Sequence, residues 1–408
     1  MSIRGSLSDQ ALVVAGNFAF TVALVRVAGV DTYGVYTLLW GVVQLLIAFQ
    51  GSLFIAPFQS LGHELESRYG ESYLYAVFGQ QQLFSLAVAA CLFLGLSAFP
   101  SRYGLVSLPI AVAGAVYFLL TQEYFRRLQL ATGRIRRAVI GDAFRYIGPV
   151  VWLAILAPRT SVTLSDVFLF LGLVCVPSLA LNMKYFGSFL RKGHVASAEV
   201  LRIHWPFVRW LTPSILFQWI NANLVFYAVG WFVGETEVGL LRMAQTLSIL
   251  YLILLEVFEN VVPRQAAMRM RAGGRAEMER YVIRIGIWAG IAFVGFLGTV
   301  LPWTEFWLHF IFGVKAAGVP VEFVWMFCLV PILTVPAYCL NVLHRSVGTT
   351  KTIFMADVFA SLPSVFGVLN VMWSGAFAAI IILFIAQAIR LLVLFFAYKQ
   401  FMVANRSG

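Results

Sequence analysis

"ALVVAGNFAFTVALVRVAGVDTYGVYTLLWGVVQLLIAFQ", residues 11–50, carries only Arg26 and Asp31 as charged residues and is broken once, at the Gly29-x4-Gly34 turn. A helix that crosses the hydrocarbon core needs about 20 mainly apolar residues, because each residue rises 1.5 Å through a layer about 30 Å thick. The stretch therefore reads as two membrane-spanning helices joined by a tight turn. Strands of a membrane barrel would instead alternate apolar and polar residues over about ten positions.

The rest of the chain repeats this texture. Apolar residues make up 61% of the 408 positions and charged residues 12%, against about 45–50% and 25% in soluble domains. Twelve spans can be marked, at 9–28, 34–57, 77–99, 104–124, 138–157, 164–184, 206–233, 238–262, 282–301, 321–343, 353–371 and 374–397. The longest gaps, 185–205, 263–281 and 302–320, leave no room for a soluble domain.

Two short similarities divide the chain. "GVDTYGVY" from Gly29 and "GETEVGLL" from Gly234 share a Gly-x4-Gly turn, and the second helix of each hairpin is expected to end near a proline, Pro57 or Pro263. "GRIRRAVIGDAF" from Gly133 aligns with "GTTKTIFMADVF" from Gly348, sharing the Gly, a basic residue three on, Asp nine on and Phe eleven on. The expected fold is an all-α polytopic membrane protein of about 12 transmembrane helices, in two six-helix halves around a central cavity. The halves are placed at 1–190 and 206–408, with 191–205 as a basic cytoplasmic linker. An even number of spans per half makes the repeats parallel, related by an axis along the membrane normal, which is an architecture of alternating-access transporters.

Cytoplasmic segments collect Lys and Arg. With both termini inside, 22 of the 29 basic residues fall on the inner side and five on the outer. Five of the six arginines in residues 126–146, namely Arg126, Arg127, Arg134, Arg136 and Arg137, then read as an inner loop that anchors topology near anionic lipid. Nucleic acid is not a partner, since a basic patch on a membrane scaffold has no reading element beside it. No metal site, cofactor or disulfide framework is suggested. Cys91, Cys175, Cys328 and Cys339 all fall within spans without CxxC spacing, and His63, Glu64 and Glu66 fit a solvated loop. The first helix reads as retained, because Asp9, Asn17 and Arg26 interrupt it and no small-residue cleavage site follows.

Ionisable groups inside a membrane face protein or water, so each is a functional candidate. On the eighth span Arg242, Gln245 and Glu256 fall on one face, with Glu259 a step away, and this stripe suits a wet cavity. The alternative places Glu256 and Glu259 at the interface. Arg26 could grip phosphate oxygens through paired donors or could snorkel outwards. Asn17 lies on the opposite face and reads as a packing contact. Gln218, Asn221 and Asn223 suit interhelical hydrogen bonds or sugar contacts. Asp142 and Arg145, three apart, can pair along one face, and Arg390 lies deep in its span with Gln387 one turn before it.

"SLSDQALVVAGNFAFTVALVRVAGVDTYGVYTLLWGVVQLL" resembles the amino-terminal signature of bacterial oligosaccharide flippases in the multidrug/oligosaccharidyl-lipid/polysaccharide exporter superfamily. The shared features are an early Gln-Ala, an Asn in helix one, an Arg before a Gly, and Gly-x4-Gly. "LATGRIRRAVIGDAFRY" resembles the same family's loop into helix five. Val30 stands where many members have Pro, and helix two lacks the carboxylate some superfamily members carry in their first spans, so carboxylate-driven ion coupling is not implied. The resemblance implies transfer of an undecaprenyl-diphosphate-linked oligosaccharide to the outer leaflet of the bacterial inner membrane, for O-antigen or exopolysaccharide synthesis. Arg26 and Arg242 would hold the diphosphate. No catalytic residue is expected, and a polysaccharide polymerase or chain-length machinery is the implied kind of partner beside membrane lipids. The competing readings are a multidrug cation exporter, which should show buried acids facing the cavity and here has only Glu256 as a strong candidate among dominant arginines, and a membrane polymerase or ligase. The latter would carry a catalytic outer loop, whereas 302–320 reads as an interfacial or re-entrant piece.

Overall fold

The computed structural model describes residues 3–58, 71–99, 106–132, 134–156, 161–182, 197–347 and 349–404, and every regular element among them is helical. In chain order these are α1 Ile3–Ala28, α2 Val30–Gln50, α3 Glu71–Ser97, α4 Ser107–Ala131, α5 Ile135–Leu156, α6 Leu164–Leu173 and α7 Val176–Ala180. They continue as α8 Ser197–Phe232, α9 Glu235–Val300, α10 Thr304–Phe312, α11 Val321–Ser346, α12 Thr350–Phe366 and α13 Val368–Ala404. Among the described residues the twelve apolar segments are helical, with 164–184 divided between α6 and α7 and 353–371 between α12 and α13. Among the described residues eight helices are long and apolar enough to cross a membrane, and residues 12–28 and 164–180 form shorter apolar helices.

Both hairpin turns are set by glycine. Gly29 (φ 89°) separates α1 from α2, and Gly234 (φ 136°) separates α8 from α9. A side chain at either would clash with its own backbone at that φ, whereas glycine turns the chain in one residue. Beyond Gln50, α2 passes through one π turn at Gly51–Ile55.

The chain forms two compact units, one of Met1–Thr32 and Leu39–Ile215, the other of Tyr33–Leu38 and Leu216–Gly408. In the first, α4 is the central helix, packed on α3, α5 and α6. Its core joins Phe54, Tyr73, Phe78, Tyr124, Phe125 and Leu128. α1 lies against α5, where Gly16 leaves room for Tyr146: a Cβ there would come within 2.5 Å of the tyrosine Cβ. In the second unit α9 packs along α11, and α13 packs on α11 and α12. Within this unit Gly34 lies against the backbone of Glu235 and Gly239, an approach that its lack of a side chain permits.

Two expectations are corrected. The gap at 263–281 is helical: α9 runs for 66 residues with one break, at Gly274 (φ 72°), and Pro263 lies inside it. Proline removes one backbone donor, while the Arg-, Ala-, Met- and Glu-rich run after it favours helix. The arginine-rich segment before α5 is likewise shorter than expected, because α4 extends to Ala131 and carries Arg126 and Arg127. The gap at 302–320 holds α10 and a 3-10 turn, Gly313–Gly318.

Candidate functional site

Arg242 stands two turns into α9, in the second unit. Its guanidinium donates from Nη2 to Asn223 Oδ1 on α8 at 2.9 Å and from Nη1 to Gln245 Oε1 at 2.8 Å, and lies 3.6 Å above the centre of the Phe226 ring. The turn at Gly234 sets this geometry, since it folds α8 back along α9. Arg242 and Gln245 are one turn apart on the same face.

Every one of these partners is neutral. Among the described residues no carboxylate pairs with Arg242, and its buried Nε has no acceptor. Two of the five guanidinium N–H groups are used by amide oxygens and the Nε–H is buried, so a cation and two Nη donors remain for an anion. The side chain is half-buried, which keeps that face reachable. Asn221, two residues before Asn223 and so turned to a different face of α8, is buried with its Oδ1 unsatisfied.

The remaining membrane-embedded charges of the described interior are compensated. In the first unit Glu123 on α4 is the hub of an ion network. Its Oε2 accepts from Arg145 Nη1 at 2.7 Å, and its Oε1 from Arg127 Nε at 2.8 Å and Arg126 Nη1 at 3.4 Å. Asp142 on α5 accepts from Arg126 Nε at 2.6 Å and from Gln122 at 3.2 Å, and Gln122 in turn accepts from Arg145 at 2.5 Å. Asp142 and Arg145, expected to pair with each other along α5, are instead each ion-paired across to α4. The spacing along α5 is right for a pair, yet α4 offers each a closer opposite charge.

In the second unit Asp357 on α12 accepts from Arg390 Nε on α13 at 2.9 Å and from Gln218 Nε2 on α8 at 2.9 Å. Arg390 is therefore tied to a carboxylate and Gln218 makes the interhelical bond. The structure brings Arg242, Gln245 and Asn223 together and keeps Arg390, Asp142 and Arg145 in separate ion pairs. Arg26 is exposed on the last turn of α1, and Asn17 is exposed rather than packed. The side chains of Glu256 and Glu259 lie outside the described residues, as do His63, Glu64 and Glu66. Glu123 and Asp357 were not singled out from the sequence. The signal for Glu123 was its spacing of three and four residues from Arg126 and Arg127, and that for Asp357 was its alignment with Asp142.

No protein-family model and no curated protein sequence matches this chain. Solved structures do. An inward-facing multidrug resistance MATE transporter of the MOP superfamily superposes with a TM-score of 0.78 at 14% identity, over 100% of this chain and 99% of that one. The lipid II flippase MurJ in an inward closed conformation gives 0.76 at 12%, over 97% and 86%. A MOP transporter from Pyrococcus furiosus, described as having a binding pocket of reversed polarity, gives 0.67 at 12%, over 98% and 95%. These neighbours are transporters, not enzymes. The chain shares the fold of these proteins, an all-helical multi-span membrane architecture of about 12 transmembrane helices in two halves.

Proposed function

We propose that this chain flips an undecaprenyl-diphosphate-linked oligosaccharide from the cytoplasmic to the outer leaflet of a bacterial inner membrane by alternating access, with Arg242 receiving the diphosphate. The observation that carries this reading is the charge imbalance at Arg242. A guanidinium held by two amides and an aromatic ring, with no carboxylate, is arranged for an incoming anion. Phosphate oxygens match its free donors pairwise, and Asn221, Asn223 and Gln245 offer amide groups to adjacent sugar hydroxyls. Arg26 is the second candidate contact. Glu123, Asp142 and Asp357 already hold arginines and so are not available to balance a cationic drug, which leaves the cation-exporter reading resting on Glu256 alone. A polysaccharide polymerase would then act on the product at the outer face.

The test is the sidedness of lipid-linked oligosaccharide in proteoliposomes carrying wild-type protein, Arg242→Gln or Arg242→Lys. Glutamine should abolish transfer while the protein inserts and keeps its helicity. Transfer by Arg242→Gln at the wild-type rate removes this residue from the mechanism. No transfer by correctly folded wild-type protein rejects the substrate class.

A further inference from the structure

One face of α5 takes no part in the ion network. Arg136, Ile140, Phe144, Ile147, Val151 and Ile155 follow one another at steps of three or four, and all are exposed. Arg137, also exposed, sits beside the first. The stripe is cationic at one end and apolar for the next five turns. Its apolar part borders a cavity of about 700 Å³, closed on the far side by Phe170, Leu173, Val174 and Pro177 of α6 and α7. The floor is Trp152 stacked on Phe170, with ring centres 4.5 Å apart. Gly148 has no side chain, and a Cβ there would lie 2.9 Å from Val174 Cγ1, so α5 comes close to the chain after α6 at this edge of the groove. α6 ends at Leu173 and α7 restarts at Val176 with Pro177 in its first turn, which opens the wall at this point. From Ala143 to Ile155 the groove runs for about 18 Å at 1.5 Å per residue, over half the thickness of a hydrocarbon layer.

We infer that this face binds one anionic phospholipid of the surrounding bilayer, with an acyl chain in the α5–α6 groove and the phosphate at Arg136 and Arg137. The charge order along α5 carries the assignment. A groove lined by apolar side chains within a spanning segment takes hydrocarbon, and two exposed arginines at the end of the same stripe select the headgroup that is attached to it. The inference does not depend on the transported substrate, since every residue involved belongs to the first unit and Arg242 to the second.

Native mass spectrometry of the full-length chain in detergent, incubated with phosphatidylglycerol or phosphatidylcholine of the same acyl composition, tests it. Wild type should retain phosphatidylglycerol about fivefold more than phosphatidylcholine. Arg136→Gln with Arg137→Gln should bring that ratio to near one. Val151→Trp, which fills the groove, should lose both lipids, while Leu83→Trp on exposed α3 should change neither. Equal retention of the two lipids by wild type, or full retention by Val151→Trp, overturns the site. Displacement of bound phosphatidylglycerol by equimolar undecaprenyl phosphate overturns the choice of a bilayer phospholipid as occupant.

Discussion

Replacing Glu123 by Gln removes the charge at the centre of the α4–α5 network while keeping its shape. Arg126 retains Asp142 at 2.6 Å, and Arg127, whose side chain is 38% exposed, can turn to solvent. Arg145 cannot escape: its side chain is 6% exposed, Glu123 is its carboxylate partner, and only neutral acceptors, Gln122 and the new amide, would remain. Removing one member of a buried ion pair costs about 3–5 kcal/mol, because the charge left behind stays desolvated. The glutamine amide still offers an oxygen, so the expected loss lies at the lower end, about 3 kcal/mol. Unfolding in mixed micelles by added SDS, followed by tryptophan fluorescence, measures it. Arg145→Met in the Glu123→Gln background should recover part of the loss, giving a coupling of about 2 kcal/mol between the two positions. A single-variant loss below about 1 kcal/mol, or strict additivity of the two substitutions, would refute the account of Glu123 as the charge that holds Arg145 in place.

Other consequences follow from particular residues. Asp357→Asn leaves Arg390 without its carboxylate and should cost about 3 kcal/mol in the same assay, against about 1 kcal/mol for Gln218→Leu, which removes one hydrogen bond; equal costs would contradict the ion pair's dominance. Arg242→Lys keeps the charge but cannot bond Asn223 and Gln245 while lying flat on Phe226, so binding of a diphosphate lipid should weaken roughly tenfold; unchanged affinity in a retention assay would show that charge alone suffices. Burial against Tyr73 holds the His204 imidazole down at about 4, from an ordinary 6.5. The unfolded chain therefore takes up the proton first, so this contribution is full above pH 6.5, falls as pH drops towards 4, and totals at most about 3 kcal/mol; His204→Phe should flatten the slope between pH 7 and pH 4. Ala at Gly234, where φ is 136°, should destabilise by about 1–3 kcal/mol, whereas Ala at exposed, helical Gly95 should not.

Most of the helices were legible because burial in lipid demands a long apolar run, and that demand is local. The hairpin glycines were legible for a similar reason: a positive φ is a property of one residue. The arginine-rich motif and its counterpart from Gly348 correctly placed Asp142 and Asp357 in register, and both prove to be carboxylates in ion pairs with arginine. Their partners were not legible. Asp142 draws Arg126 from the helix before it, and Asp357 draws Arg390 from the helix after it; at the same offset of 215 residues, Asn341 stands opposite Arg126 and Cys175 opposite Arg390. Reading α4 as ending at residue 124 also put Arg126 and Arg127 in a loop, and Glu123 then looked like an edge residue instead of a hub.

By itself the sequence determined that this chain is a bundle of membrane helices, where its two main turns fall, and which charges stand in costly places. Hydrophobic length, glycine conformation and the price of an ion in lipid act over a few neighbouring residues, so a linear string records them. Only the tertiary structure decided which of those charges are spent. Compensation depends on distances between helices that are far apart in sequence: about 3 Å from Arg145 to Glu123 and from Arg390 to Asp357 closes those sites, and neutral amides around Arg242 leave that one open.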